Sequence, residues 1–322
     1  MHGCGNHFIV VTHSNWIPYV TNAGLSEATL VANLCCLGNG VGADGLLVIR
    51  PNENGTSHPK GVDMRILNAD GSEAEMCGNG ARCAAAFAFH RGMSDGSPEF
   101  PLHTLAGVHD CRVHVSERST PQQPVDGPSH TTLQKETMVT VTFPLSEPAL
   151  RHLPPDFIRA LPPCFECCRE LIQGIYFVNT GVPHVVVILC RETSDIWWVT
   201  TDIADMGRFL RHHAAFCESN GANVDFIMPD LGRDEDDHSS QTIPRLKIRT
   251  YERGVEAETQ ACGTGCMAGA TCYASYTGNP SEFAFQMQTR GGYTLICRTE
   301  GTSRRCSMSG PSVLVFEGVI EG

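Results

Sequence analysis

Short apolar segments that are rich in β-branched residues recur along the chain. Most are bounded by Gly, Pro, Asn or Asp, as β-strands usually are. The segments predicted to be strands are HFIVV (7–11), GLLVIR (45–50), VDMRIL (62–67), MVTVTF (138–143), IYFVN (175–179), HVVVIL (184–189), VDFIM (224–228), RLKIRTY (245–251), YTLICR (293–298) and SVLVFEGVI (312–320). Helical patterns are fewer, at about 26–36, at 205–216 and after each of Cys77 and Cys262. The pattern predicts a mixed α/β protein with more strand than helix.

Two polar stretches interrupt this pattern. Residues 116–132 are rich in Pro and Ser and are predicted to form a linker or a loop. Residues 230–244 are mostly charged and polar, which favours an exposed loop between two strands.

The second half of the chain repeats features of the first half in the same order. The matched pairs are GNHFIVV (5–11) with VPHVVVI (182–188), NGVGADGLLVI (39–49) with NGANVDFIM (220–228), and CGNGARCAAA (77–86) with CGTGCMAGA (262–270). This alignment equates His7 with His184 and Asp44 with Asp225. A duplicated domain predicts two similar lobes with a binding site between them.

In each half, a Cys-Gly-x-Gly motif precedes a segment that favours a helix. The free N–H groups of a helix N-terminus can hold a carboxylate, and the helix dipole lowers the pKa of a thiol there. Alone, each motif fits a buried turn cysteine. Two copies instead suggest that one thiol removes a proton from a carbon while the other protonates the opposite face. A redox disulfide between Cys77 and Cys262 is the competing interpretation.

Composition excludes several classes of function. The 322 residues carry a formal net charge of −12, which argues against nucleic-acid and anionic-membrane partners. Neither a signal peptide nor a membrane span is recognisable, and we therefore expect a cytoplasmic protein with reduced thiols. Most of the 16 cysteines are interpreted as small buried side chains. Cys164 and Cys167 lack a second pair of ligands at zinc-site spacing, and no metal is predicted.

Seven segments, in order and over most of the chain, resemble the diaminopimelate epimerase family. They are GNHF (5–8), GVGADGLLVI (40–49), NADGSEAEMCGNGAR (68–82), NTGVPHVVV (179–187), ANVDF (222–226), YERGVEAETQACGTG (251–265) and GPSVLVFEGVI (310–320). The resemblance implies a cofactor-independent isomerase that interconverts LL- and meso-diaminopimelate for lysine and peptidoglycan synthesis. It also implies a homodimer.

The implied fold has two pseudo-symmetric lobes, each a curled, mostly antiparallel sheet wrapped round a central helix. The expected boundaries are residues 1–134 for the first lobe, completed by a terminal strand at 310–322, and 135–309 for the second. The active site is expected in the cleft between them.

The resemblance also assigns roles to individual residues. Cys77 and Cys262 are the two acid–base residues. His184 and Glu252 are expected near the thiols, where they assist proton transfer. The residues expected to bind the substrate are Asn6, Asn68, Gly78, Asn79, Asn223, Arg253, Gly263 and Thr264. Arg82 is interpreted as structural support, with a salt bridge as one form of that support, and Cys83, Cys266, Trp197 and Trp198 as packing residues.

Three departures from the family pattern bear on the substrate. Val182 replaces an Asn that many members have. Gly45 stands where many members have Gln, although GADGL is also a family variant. The segment between Glu252 and Cys262 is one residue longer than its shortest version. These changes keep open a related two-thiol enzyme, such as a glutamate racemase or a hydroxyproline epimerase. A rival of another class is a non-catalytic amino-acid-binding or redox-sensing protein.

Overall fold

A computed structural model describes residues 1–52, 61–114, 136–144, 150–190, 195–230, 243–299 and 305–320, except the side chains of 144 and 217–219. The chain divides into two compact units. The first comprises Met1–Thr142 and Ser309–Gly322, and the second comprises Phe143–Met308. The segment 116–132 and nearly all of the loop expected at 230–244 lie outside the described residues.

Strands outnumber helices in both units. The strands are β1 (His2–Gly3), β2 (Asn6–Thr12), β3 (Gly45–Pro51), β4 (Val62–Asn68), β5 (Glu73–Ala74), β6 (Glu99–Thr104), β7 (Gly107–His114), β8 (Glu136–Pro144), β9 (Arg151–His152), β10 (Ile172–Asn179), β11 (Pro183–Leu189), β12 (Asn223–Asp230), β13 (Arg245–Glu252), β14 (Ala257–Thr259), β15 (Ala284–Gln288), β16 (Thr294–Thr299) and β17 (Arg305–Val313). The α-helices are α1 (His13–Ala23), α2 (Glu27–Cys35), α3 (Gly78–His90), α4 (Pro155–Arg159), α5 (Asp195–Thr200), α6 (Ala204–Arg211) and α7 (Gly263–Tyr276). Short 3₁₀ helices lie at Pro163–Phe165, Arg169–Leu171 and Ala214–Ser219.

In the first unit, eight strands form a closed ring in the order β1, β2, β3, β4, β6, β7, β8, β17 and back to β1. Helix α3 contacts strands β1, β2, β3, β4 and β7 of this ring. Ten of its 13 residues are buried, and most of these are Ala or Gly. Small side chains on every face let strands approach the helix from all sides. This arrangement confirms the predicted curled sheet around a central helix.

The second unit repeats this pattern. The pairs β10–β11, β12–β13 and β15–β16 are antiparallel, and the pairs β11–β12 and β13–β15 that join them are parallel. The first unit has the same alternation from β1 to β7. Helix α7, with ten of 14 residues buried, contacts β10, β11, β12, β13, β15 and β16. Trp197 and Trp198 belong to a hydrophobic cluster packed among β10–β13 and the outer helices, as expected of core residues.

The register of the strands changes one detail of the repeat. Phe8 lies opposite Gly45, and Val185 lies opposite Val224. Because these residues directly follow His7 and His184, the structure matches Asp44 with Asn223. The sequence alignment of Asp44 with Asp225 was therefore wrong by two residues.

The C-terminal segment and the boundary between the units also differ from expectation. Strand β17 ends at Val313, and residues 314–320 have no regular structure, although a strand was predicted to continue through this segment. The division between the units falls after Thr142, within β8, and not after residue 134. Among the described residues, no helix has the length and apolar character that crossing a bilayer requires.

Candidate active site

Cys77 is the N-cap of α3 in the first unit. Its extended backbone, with φ −143° and ψ 119°, directs the sulfur back over the first turn, where it accepts a hydrogen bond from the N–H of Gly80 at 3.4 Å. A side chain in this position satisfies one of the orphan donors of a helix N-terminus. The thiol is half-buried and also donates to Oδ1 of Asn6 at 3.6 Å.

Two side-chain amides beside Cys77 are held in fixed orientations. Asn6 donates from Nδ2 to the carboxylate of Asp44 at 2.9 Å, which leaves its Oδ1 facing the thiol. Asn79 accepts from Arg82 at 2.6 Å through Oδ1 and donates through Nδ2 to Asn6 at 3.4 Å. Because carboxylates only accept and guanidinium groups only donate, both amide orientations follow from these partners.

Arg82 lies beneath this first turn and is fully buried. It donates to the carbonyl of Gly78 at 3.2 Å and to the sulfur of Cys4 at 3.3 Å, in addition to its bond with Asn79. These bonds to a carbonyl, an amide and a sulfur support the first turn of α3.

Asn68 occupies a different place, at the end of β4. Its Nδ2 donates to Oγ of Ser72 at 2.9 Å, and its backbone closes the four-residue turn that leads into β5. The side chain is exposed and lies nine positions before Cys77 in the same segment. The structure gives it a turn-forming contact and leaves it accessible to a ligand.

Cys262 repeats the arrangement in the second unit as the N-cap of α7. Its sulfur accepts from the N–H of Gly265 at 3.4 Å and lies 3.4 Å from Oγ1 of Thr264. Unlike Cys77, this thiol is buried. Burial raises the pKa of Cys262 well above its usual value, and the negative charges of Glu252 and Asp225 raise it further.

A chain of hydrogen bonds extends from Cys262 into the unit. Oγ1 of Thr264 lies 3.1 Å from Nε2 of His184, and Nδ1 of His184 lies 2.7 Å from Oδ2 of Asp225. Thr250 donates to the other carboxylate oxygen of Asp225 at 2.7 Å. Both His184 and Asp225 are fully buried. Sequence reasoning included His184 and Thr264 but assigned no site role to Asp225 or Thr250.

The contacts of Asn223 fix the tautomer of His184. The backbone N–H of Arg253 donates to Oδ1 of Asn223 at 2.8 Å, and the amide nitrogen of Asn223 consequently faces Nε2 of His184 at 3.5 Å. An amide nitrogen only donates, so Nε2 is the acceptor and Nδ1 carries the proton toward Asp225. In this arrangement Thr264 donates to Nε2 and accepts from the thiol of Cys262.

The second glycine of each Cys-Gly-x-Gly motif, Gly80 or Gly265, packs against the protein interior. A Cβ at Gly265 would lie 2.5 Å from Oδ1 of Asp225, and one at Gly80 would lie 3.3 Å from a methyl of Leu47. The absence of a Cβ therefore lets the first turn of each helix pack closely against the protein itself. A side chain at position 265 would collide with the carboxylate of Asp225, so Asp225 lies directly against the cysteine motif.

The remaining residues predicted to bind the substrate lie beside the hydrogen-bonded groups around the two cysteines. Gly263 and Thr264 form the first turn of α7, as Gly78 and Asn79 form that of α3. Glu252 ends β13, and Arg253 follows it, with its guanidinium 3.4 Å from the carbonyl of Gly221. The structure therefore gathers Cys262, His184, Asn223 and Arg253 around one helix N-terminus.

These sites can be compared with known proteins. The family model described as diaminopimelate epimerase matches residues 1–124 and 176–315. The diaminopimelate epimerase of Aquifex aeolicus is 33% identical over 99% of this chain and 95% of its own length. The chain belongs to the diaminopimelate epimerase family.

Solved structures relate the fold to a wider group. A phenazine biosynthesis protein of the PhzF family from Bacillus anthracis superposes with a TM-score of 0.58 at 14% identity, over 92% of this chain and 90% of that one. A hydroxyproline epimerase from Agrobacterium vitis gives a TM-score of 0.54 at 14% identity, over 97% and 89%. At these identities the similarity establishes a shared fold.

Within the family, one departure of this chain has a local structural reason. A Cβ at Gly45 would lie 2.7 Å from the carbonyl oxygen of Leu67 on the adjacent strand. A larger residue would therefore collide with the backbone of the adjacent strand unless one of the two strands shifts. Val182 is partly buried, and its carbonyl accepts from the N–H of Thr180 in the turn before β11.

Proposed function

We propose that the protein is an isomerase that interconverts LL- and meso-diaminopimelate without a cofactor, using Cys77 and Cys262 as its two acid–base groups. The observation that carries the proposal is the duplicated cysteine N-cap. Each unit places one thiol at the first turn of a buried helix, in a chain that belongs to the diaminopimelate epimerase family. The products of this reaction serve lysine and peptidoglycan synthesis.

In the proposed reaction, the thiolate of one cysteine takes the α-proton from one face of the reacting centre. The C–H electron pair remains on the carbon as a carbanion, and the thiol of the other cysteine donates its proton to the opposite face. After one inversion, the cysteine that acted as base is a thiol and the cysteine that acted as acid is a thiolate. Turnover in the reverse direction exchanges the two roles.

The two helix N-termini supply the charge stabilisation that this chemistry needs. Gly78 and Asn79 on one side and Gly263 and Thr264 on the other would donate N–H groups to the carboxylate at the reacting centre. Such donors oppose the negative charge that develops when the α-proton leaves. Exclusion of water would strengthen these interactions further.

Cys262 has a route for its proton. The bonds that join it to Thr264, His184 and Asp225 give the thiol an acceptor on its own side of the helix turn. The carboxylate of Asp225 holds the imidazole with Nδ1 protonated and Nε2 as the acceptor toward Thr264. Glu252, whose charge acts on the same thiol, would share this task.

The distal end of diaminopimelate carries its own ammonium and carboxylate groups. Arg253 would bind this carboxylate with its planar fork of donors, and Asn6, Asn68 and Asn223 would supply the donors and acceptors that the zwitterion requires. Holding the distal centre fixed explains why only one of two chemically identical centres inverts.

The test of function is α-proton exchange in D₂O. The reduced protein should convert LL-diaminopimelate in D₂O to the meso isomer with deuterium at the inverted α-carbon, measured by mass spectrometry and chiral chromatography. L-Glutamate, L-proline and trans-4-hydroxy-L-proline are the comparison substrates, since they lack the second amino-acid group. Exchange with one of these and none with diaminopimelate would contradict the proposal and favour the related racemase or hydroxyproline epimerase.

We further propose that the protein forms a homodimer in the cytoplasm. Residues 314–320 expose an apolar set after the last strand, comprising Leu314, Val315, Phe316, Val319 and Ile320. Contiguous exposed apolar surface of this kind is typical of protein–protein contacts. Sedimentation equilibrium should give twice the mass of one chain, and Phe316→Ser should shift the population toward the monomer. A monomeric wild-type protein would contradict the dimer.

A further inference from the structure

Arg65 and Glu73 form a two-pronged ion pair in the hairpin that precedes Cys77. Nε and Nη2 of the arginine donate to the two carboxylate oxygens of Glu73 at 2.8 and 3.1 Å. The arginine also makes two bonds of 3.1 Å to Glu27, the first residue of α2. The side chain therefore joins β4, β5 and an outer helix.

Arg249 and Glu258 form the same pair in the hairpin that precedes Cys262. The corresponding bonds measure 2.6 and 2.7 Å. The remaining donors of Arg249 bind the carbonyls of Trp198 and Thr201 at 3.0 and 2.8 Å, at the end of α5. This arginine is almost fully buried, whereas Arg65 is about one-third exposed.

The two pairs occupy identical positions in the two hairpins. Leu67 lies opposite Glu73, and Tyr251 lies opposite Glu258. In both cases the arginine precedes that residue by two positions, which puts arginine and glutamate diagonally on one face of the sheet. Each glutamate lies four positions before its cysteine. Each arginine lies three positions before a predicted site residue, Asn68 in one hairpin and Glu252 in the other.

A backbone hydrogen bond holds the short segment between glutamate and cysteine at the same place in each unit. The N–H of Ala106 donates to the carbonyl of Glu75 at 3.3 Å, and the N–H of Gly291 donates to that of Gln260 at 2.9 Å. Both acceptors lie two positions before their cysteine. Three residues separate each glutamate from its cysteine, and this bond holds the middle one in place.

We infer that Arg65–Glu73 and Arg249–Glu258 are positioning pairs, each of which sets the location of one reactive thiol at its helix N-terminus. The inference rests on the proposed function in that it takes both thiols to be reactive. An isolated surface ion pair contributes little to stability, but a bidentate pair fixes distance and angle together. Its recurrence at one register position in both halves is what a shared positioning task requires.

The test measures each thiol separately in the intact, reduced protein. A short pulse of iodoacetamide is followed by peptide mass spectrometry at Cys77 and Cys262, in the wild type and in Glu73→Gln and Glu258→Gln. The substitution keeps the size of the side chain and removes the charge. We expect Glu73→Gln to slow alkylation of Cys77 at least about fivefold, because the thiolate loses its place at the helix N-terminus. Cys262 should stay within about twofold of wild type.

The reverse selectivity is expected for Glu258→Gln. Since Cys262 is buried, loss of its positioning pair should expose the thiol and speed its alkylation at least about fivefold, with Cys77 within about twofold. Each variant should also lower kcat about tenfold with LL-diaminopimelate, because small misplacements of a reacting group are costly.

Two matched controls separate positioning from general loosening. Glu27→Gln removes the other carboxylate from Arg65 and keeps the bidentate pair of Arg65 with Glu73, and Glu99→Gln removes an exposed ion pair with Arg112 in the same unit. Both should leave the Cys77 rate within about twofold of wild type. Similar changes at both cysteines in either test variant, or no change at either, would overturn the inference. The alkylation result is independent of substrate, so a failed exchange assay in the wild type would remove the epimerase assignment and leave this test intact.

Discussion

Replacing Cys77 or Cys262 by alanine is expected to lower kcat for the interconversion of LL- and meso-diaminopimelate by about 10⁴-fold. Each inversion needs a base on one face and an acid on the other, and alanine supplies neither. Either variant should therefore lose both directions of the reaction, although one thiol remains. The initial rate of conversion in each direction, followed by chiral chromatography, measures this effect.

The matched controls are Cys36→Ala in the first unit and Cys167→Ala in the second, both at exposed thiols. These variants should keep wild-type activity, and all four proteins should melt within a few degrees of one another. Activity within tenfold of wild type in either Cys77→Ala or Cys262→Ala would exclude that thiol from the chemistry.

Asp225→Asn is expected to produce the next largest effect, a fall in kcat of about 100-fold. The carboxylate only accepts hydrogen bonds and therefore keeps the proton of His184 on Nδ1, whereas an amide could donate and favour the other tautomer. The substitution also removes the charge that would stabilise a protonated imidazole. Thr250→Val, which keeps the carboxylate and its bond to His184, should lower kcat by less than about fivefold.

The same substitution should change the titration of Cys262 in a defined direction. The negative charge of Asp225 raises the pKa of this thiol, and its removal should shift the pH profile of Cys262 alkylation to lower pH. The profile is measured with iodoacetamide by peptide mass spectrometry at several pH values. Wild-type kcat in Asp225→Asn, or a profile displaced to higher pH, would contradict the proposed role of the chain from Cys262 to Asp225.

The strands were predictable where β-branched residues form continuous runs. GLLVIR at 45–50 and HVVVIL at 184–189 correspond closely to β3 and β11, because both strands are buried on both faces. The two central helices were also anticipated, and each begins directly after its cysteine. The Cys-Gly-x-Gly motif is a local signal that identifies a cap and a thiol together.

Other elements carried weaker local signals. Helix α1 contains Pro18 and β-branched residues, which argue against a helix, yet Thr12 caps its start and Gly24, with φ +66°, ends it. Strand β7 alternates buried and exposed residues in GVHDCRVH, with His and Cys at some inward positions, and its pattern was missed. In both cases tertiary packing outweighs the local preference of the sequence.

Site residues that act through long-range contacts could not be found from the motif alone. Asp225 reaches His184 because parallel pairing of β11 and β12 brings their side chains together, and Thr250 joins them from β13. The sequence repeat drew attention to Asp225 but matched it with Asp44, which the strand register does not support. Only the register shows which acidic residue faces the histidine.

The distribution of deuterium at low conversion tests the two-thiol account most directly. LL-diaminopimelate is incubated with the reduced protein in D₂O, the reaction is stopped before about 10% conversion, and both isomers are analysed for α-deuterium. Two opposed thiols predict deuterium in the meso product and none at the same centre of the recovered LL substrate. Equal deuterium in product and recovered substrate, or a product that keeps the original proton, would contradict the account, because either result requires one base to serve both faces.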